Sequence, residues 1–308
     1  MNPDYISSAE KSAFFSGSPD CALYYEQRGS NNVKYVVLIM GAFATLKHFD
    51  ELADKLSSSG YNVLTYDHRG IGKSATVDIK LRQTSTMLAN DCLALIDHVF
   101  GAFSVVHVYG ASMGGCIAQY VALSLHRQNR LQSLYLAVTS RGSYFRLPLS
   151  QYLWKFIVKN FLVKSNPRSM VEYLVPKCFD KEFLESIDSK TGKSMKDRWI
   201  EKWTSEYTDW FSFNDVEATA SQCSVFATHY IADSTLRSLT TKTNDKVSCR
   251  ITVHIAEADE LMPPSKQKEL GSILQAHIIS FKGGHMGGEI EKARFYEGLL
   301  HHLKESTT

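Results

Sequence analysis

Several features are scarce in this sequence. None of its 308 residues belongs to an uninterrupted apolar run long enough to span a bilayer. The opening MNPDYISSAEKSAFFSGS has neither the basic start nor the apolar core of a secretion signal. The expected location is therefore cytoplasmic. Cysteine is thin: Cys21, Cys92, Cys116, Cys178, Cys223 and Cys249 stand far apart with no CxxC pair, which speaks for reduced structural thiols rather than disulfides or zinc. No N-x-[ST] sequon occurs, in keeping with that compartment, and the final KESTT matches neither a peroxisomal nor a retention signal. Neither sign of charge is in excess, with 34 Lys and Arg against 32 Asp and Glu scattered along the chain. Without a basic field, nucleic acid is not an expected partner. Internal repeats and low-complexity tracts are missing too.

What is present is a rhythm. Short apolar runs, VKYVVLIM (33–40), YNVLTY (61–66), FSVVHVY (103–109), LQSLYLAV (131–138), RITVHIA (250–256) and HIISFK (277–282), alternate with helical patterns. Runs apolar on both faces suit a parallel sheet covered on both sides, and the alternation predicts repeated βα units. Ahead of them, two strand-like halves around Gly17-Ser18-Pro19-Asp20 predict an antiparallel hairpin at the sheet edge. The expectation is an α/β fold with a mostly parallel sheet of about eight strands flanked by helices.

The rhythm stops after Ser140 and resumes near Arg250, and the interval holds all four tryptophans, Trp154, Trp199, Trp203 and Trp210. This predicts a core formed by 1–140 and 229–308, with a helical cap inserted at 141–228. Within it FRLPLSQYLWKFIVKNFLVK (145–164) is apolar apart from a narrow polar stripe, which predicts a buried cap helix and, as a second reading, a basic amphipathic surface for peripheral membrane or lipid contact. Either reading predicts an apolar pocket, hence a small hydrophobic substrate.

The densest signal is VYGASMGGC. Gly110-Ala111-Ser112-Met113-Gly114 fits G-x-S-x-G with a strand before it and a helix after it. Small residues let strand and helix approach closely while Ser112 is pushed out at the helix N-terminus, where the Met113 N–H has no internal partner and can bind an oxyanion. A serine hydroxyl needs a base and something to orient that base. His285, in FKGGHMGG just past the last strand, is the candidate base. His107 and His254 in strands, His301 and His302 on the terminal helix, and His48 at a helix start read as packed or solvated. Asp259, in HIAEADELMPPS, is the candidate acid, with Glu257 and Glu260 as neighbours that could substitute.

Other signals carry less. GIGKS (70–74) would be a phosphate loop only with glycine where Asp67 stands, and HMGGE lacks HExxH spacing. No cofactor and no metal are therefore expected.

Together GASMGG, VVLIMGAFATLKHFDELADKL, LTYDHRGIGKS, AEADELMPP and GGHM resemble the alpha/beta-hydrolase superfamily, in its capped serine esterase, lipase and methylesterase branch. The resemblance implies the alpha/beta-hydrolase fold, with Ser112 as nucleophile, Asp259 as acid and His285 as base. It also implies a second oxyanion N–H from Ala42, or Phe43, in the loop after the third strand. The other place such folds put the acid, after the strand at 131–138, holds Thr139 and Ser140 instead. Two departures stand out: Met40 occupies a position where the family often has histidine, and Ala111 replaces the histidine that often precedes the nucleophile. The expected activity is hydrolysis of a carboxylic ester with a hydrophobic acyl or alcohol part through an acyl-enzyme. Serine rather than aspartate at the elbow argues against dehalogenase and epoxide hydrolase chemistry. Two alternatives use the same scaffold: a non-hydrolytic ligand-binding receptor, and a cofactor-free haloperoxidase or carbon–carbon bond hydrolase.

Overall fold

The computed structural model describes residues 10–18, 21–74, 83–143, 167–205, 216–240 and 249–306. The expected amphipathic helix at 145–164, with Trp154, and also Trp210 lie outside the described residues.

Eight strands form one sheet: β1 (Lys11–Ser18), β2 (Cys21–Arg28), β3 (Lys34–Ile39), β4 (Tyr61–Tyr66), β5 (Val106–Ala111), β6 (Leu131–Ala137), β7 (Arg250–Ala256) and β8 (His277–Phe281). Their spatial order is β1-β2-β4-β3-β5-β6-β7-β8. β1 pairs antiparallel with β2 and β2 with β4, while the other neighbours run parallel. This is the alpha/beta-hydrolase arrangement, with the hairpin at the edge. The third apolar run enters the sheet only at Val106, because the chain leaves the preceding helix through Gly101 (φ 92°) and turns, leaving Phe103 95% exposed.

Each face of the sheet is closed by helices, as runs apolar on both sides require. On one face lie α1 (Asp50–Ser58) and the terminal helix (Lys292–Glu305), over Val36, Leu38, Tyr109, Tyr135 and Phe281. On the other lie α2 (Ser85–Phe100), α3 (Met113–Arg127) and the helix Pro264–Ile273, over Val37, Ile39, Val108, Leu136 and Val253. α2 begins where Thr84 Oγ1 accepts the Met87 N–H at 3.1 Å, satisfying one of the orphan donors of a first turn. α1 is pinned through Arg28, whose buried guanidinium bonds Asp50 at 2.5 Å, Asp54 at 2.7 Å and Glu26 at 3.1 Å. Several carboxylates around one buried cation offset the cost of taking it out of water.

Between β6 and β7 the chain forms further helices, Pro167–Cys178, Lys181–Glu185, Met195–Ser205, Val216–Thr228 and Asp233–Arg237. Their own apolar cluster joins Val171, Val175, Phe179, Ile200 and Trp203 to Phe43 of the loop after β3. Trp199 and Trp203 pack around Phe179 with tilted rings, their centroids 4.6 and 5.7 Å away. Among the described residues, no helix is long and apolar enough to cross a membrane.

Candidate active site

β5 ends where the glycine signature forces a close approach. A Cβ at Gly110 would lie 2.4 Å from the Gly114 carbonyl oxygen, and one at Gly114 would lie 2.1 Å from that of Ile39. Both positions therefore require glycine. Between them Ser112 adopts φ 55°, ψ −119°, a left-handed conformation that L-residues rarely take. Four bonds fix it: its N–H donates to the Ala137 carbonyl at 2.9 Å, and its own carbonyl accepts from Gly115 N at 3.0 Å, from Cys116 N at 3.3 Å and from Thr139 Oγ1 at 2.8 Å. A strained residue held by its surroundings in this way is a candidate functional position.

Asp259 follows β7 and is buried. Its Oδ1 accepts the Leu261 and Met262 amides at 2.9 and 2.8 Å. Its Oδ2 accepts from His285 Nδ1 at 2.7 Å and from Gln267 Nε2 at 3.0 Å. With Nδ1–H directed at the carboxylate, Nε2 of His285 is left as the basic nitrogen. Glu260 points elsewhere, to Lys177 at 2.9 Å.

Ser112 and His285 line one cavity of about 460 Å³, with Ala42, Phe43, Trp199 and Trp203 also in its wall. The Met113 and Ala42 amides make no hydrogen bond among the described residues. The Phe43 amide is different: it donates to Gln222 Oε1 at 2.6 Å, so the alternative oxyanion donor is already engaged. Met40, standing where histidine is common, still holds its loop, because buried His68 donates from Nε2 to the Met40 carbonyl at 2.9 Å. Burial keeps the His68 pKa low, so the ring is a neutral donor.

The sequence reading brings Ser112, His285, Asp259, Met113 and Ala42 to one end of the sheet but misses their supports. Gln267 is the clearest. It is 0% exposed, accepts the Ala256 N–H at 3.0 Å, and donates to both Asp259 and the Met262 carbonyl, locking the acid's loop. A signal for it exists: Gln267 shares the spacing of Leu270, Gly271 and Leu274, the buried side of its helix. Gln222, which bonds Phe43 from 179 residues away in sequence, offers none. The GIGKS segment proves structural, since Asp67 accepts the Leu46 and Lys73 amides at 2.8 and 2.9 Å and a Cβ at Gly72 would strike its carboxylate.

The chain also resembles known proteins. A family model described as serine aminopeptidase, S33 (Hydrolase_4) matches residues 30–303. Rhodomycin D methylesterase DauP of Streptomyces sp. (strain C5) is 36% identical over 92 residues, 29% of this chain and 30% of that protein. Rhodomycin D methylesterase DnrP of Streptomyces peucetius is 33% identical over 106 residues, 34% of this chain and 35% of that protein. The chain thus matches about a third of the length of these relatives. Among solved structures, a hydrolase from Pseudomonas aeruginosa PA01 superposes with a TM-score of 0.73 at 20% identity, covering 96% of this chain and 99% of that one. A thermophilic esterase from Thermogutta terrifontis does so at 0.73 and 18%, covering 97% and 100%. These two share the fold. A family match running from before β3 to the terminal helix, on a sheet of this order, makes the chain a member of the Hydrolase_4 family of alpha/beta hydrolases.

Proposed function

We propose that this protein is a serine hydrolase that cleaves a carboxylic ester with a hydrophobic acyl or alcohol part. The observation that carries the reading is the strained Ser112 opening onto the same apolar-walled cavity as His285, whose other ring nitrogen is tied to a buried carboxylate. In this reading His285 Nε2 takes the Ser112 proton as Oγ attacks the ester carbonyl, and the Met113 and Ala42 amides hold the oxyanion. Collapse of the tetrahedral species expels the alcohol, protonated by His285. Water, deprotonated by the same ring, then releases the acid and restores the serine. Asp259 keeps the proton on Nδ1 and stabilises the imidazolium, while Gln267 holds Asp259.

The helices between β6 and β7 serve as a cap, and their Trp199, Trp203 and Tyr173 give the pocket its apolar side. The partial matches to two methylesterases are consistent with an ester substrate. Turnover of a series of para-nitrophenyl esters of increasing acyl length tests the proposal. Wild type should show an optimum length, and Ser112→Ala should lose activity by roughly a thousandfold or more while keeping its fold by circular dichroism. Equal turnover by the two proteins would sink it.

A further inference from the structure

The nucleophile is fixed by its own turn, whereas Ala42 lies in the loop between β3 and Leu46 and takes its position from its neighbours. On one side Gly41 passes against the nucleophile, where an added Cβ would come 3.4 Å from the Ser112 Cβ, and His68 holds the Met40 carbonyl at 2.9 Å. On the other side stands Phe43. Like Ser112 it adopts a left-handed backbone, φ 66°, which a bulky aromatic residue takes only when its surroundings impose it.

Those surroundings come from the helices between β6 and β7. The Phe43 ring is buried in their apolar cluster with Val171, Val175 and Trp203, and its amide donates to Gln222 Oε1 at 2.6 Å. Gln222 is 0% exposed, sits on the helix Val216–Thr228 and does not line the cavity. That helix is firmly mounted. Val225 belongs to the main core, and Ser224 Oγ donates to the Gln83 carbonyl at 2.6 Å. The adjoining His229 accepts from Ser85 Oγ and donates to the Ser140 carbonyl, each at 3.1 Å. Gln222 Nε2 has no partner among the described residues. A buried amide with its donors unpaired adds little net stability, so what this side chain contributes lies in its bond to the Phe43 N–H.

We infer that Gln222 is a positioning residue for the oxyanion hole: by occupying the Phe43 amide and holding its backbone left-handed, it makes the Ala42 amide the donor presented beside Ser112. The inference rests on the ester-hydrolase reading. It also gives the helices between β6 and β7 a part in the chemistry, since a side chain from them decides which of two consecutive amides is available. The oxyanion exists only in the tetrahedral species, so a misplaced donor acts on kcat rather than on binding of the ester.

Three variants assayed on para-nitrophenyl butyrate test it. Gln222→Met keeps the side-chain length and removes the acceptor. It should lower kcat by about thirtyfold, with KM within about twofold and the pH–rate profile unmoved, because no titrating group is touched. Gln222→Asn keeps the amide but draws it back from Phe43; it should act in the same direction, and it carries the test if Gln222→Met does not fold. Gln222→Glu restores an acceptor of the same shape, held uncharged by burial, and should recover kcat to within about threefold of wild type. Hexyl trifluoromethyl ketone gives a second readout, since Ser112 adds to its carbonyl and the resulting oxygen anion fills the oxyanion hole. Its Ki should rise in Gln222→Met by the factor by which kcat/KM falls, while the Ki of hexanol, which forms no adduct, stays as in wild type. Wild-type kcat and ketone affinity in both Gln222→Met and Gln222→Asn would overturn the inference, as would a lowered Tm as their sole effect. Failure of the ester reading looks different: wild type itself then shows neither Ser112-dependent turnover nor a Ser112-dependent ketone adduct, and the inference falls with it.

Discussion

Two buried aspartates sit just beyond the ends of parallel strands on this sheet, Asp67 after β4 and Asp259 after β7. Both receive two backbone amides, Asp259 from its own loop and Asp67 from its own loop and from the segment after β3. Asp67 uses both oxygens on them, Oδ1 for Leu46 and Oδ2 for Lys73. Asp259 gathers its two amides on Oδ1 and turns Oδ2 to His285 and Gln267. Burial and amide contacts are therefore common to a loop-fixing acid and to the candidate catalytic one. What separates them is where the second oxygen points, and whether the group it meets can exchange a proton.

Removing the charge at each position should widen that contrast. Asp259→Asn should lower kcat by roughly ten-thousandfold with little change in fold, because the amide cannot hold the imidazole in the required tautomer. Ester kinetics beside a thermal melt check it, and near-normal kcat would erase the difference between the two acids. Asp67→Asn should reverse the pattern, costing about 1–3 kcal/mol of stability as its amide opposes the Lys73 N–H, while activity per folded molecule stays within a few fold. Denaturant unfolding gives the number.

The pH dependence at Asp67 sharpens the point. Burial pushes its pKa up to about 6 from the ordinary 3.8. The native state thus holds the proton over a range where the unfolded chain has released it. The stability this group contributes is complete below the unfolded pKa and is lost as pH rises through the folded one. Wild type should therefore lose this contribution between about pH 4 and pH 6, and Asp67→Asn should not. The Tm gap between them should narrow as pH rises, and a constant gap would remove the titration from the account. The smallest effect is expected at Gln267→Leu, which keeps side-chain volume but frees the Asp259 loop. About a tenfold drop in kcat, with a shifted pH profile, marks a positioning role. A drop in stability alone would make Gln267 mere packing.

Much of this could be read from the chain. YNVLTY and RITVHIA are strands from end to end, because short apolar runs rich in β-branched and aromatic residues suit a strand buried on both faces. The serine turn was legible because glycines at 110 and 114 record a steric demand that any larger residue would violate. The contacts that support the site were hidden for the opposite reason. Gln222 and Gln267 are ordinary residue types in ordinary helices, and their importance comes from partners brought close only by the fold. His254 read as a packed strand histidine. It is buried, but burial without a partner among the described residues is visible only in three dimensions.

The close approach at the serine turn divides the pocket by how readily mutation can reshape it. At 110 and 114 a single added methyl collides with main chain, so no graded series of sizes exists there. Across the sheet the alanine pair at 111 and 137 lines the cavity itself, so a change of side chain there changes its wall. An engineered lineage seeking a new ester would therefore accumulate its changes at that pair, while the turn that presents Ser112 passed through unaltered.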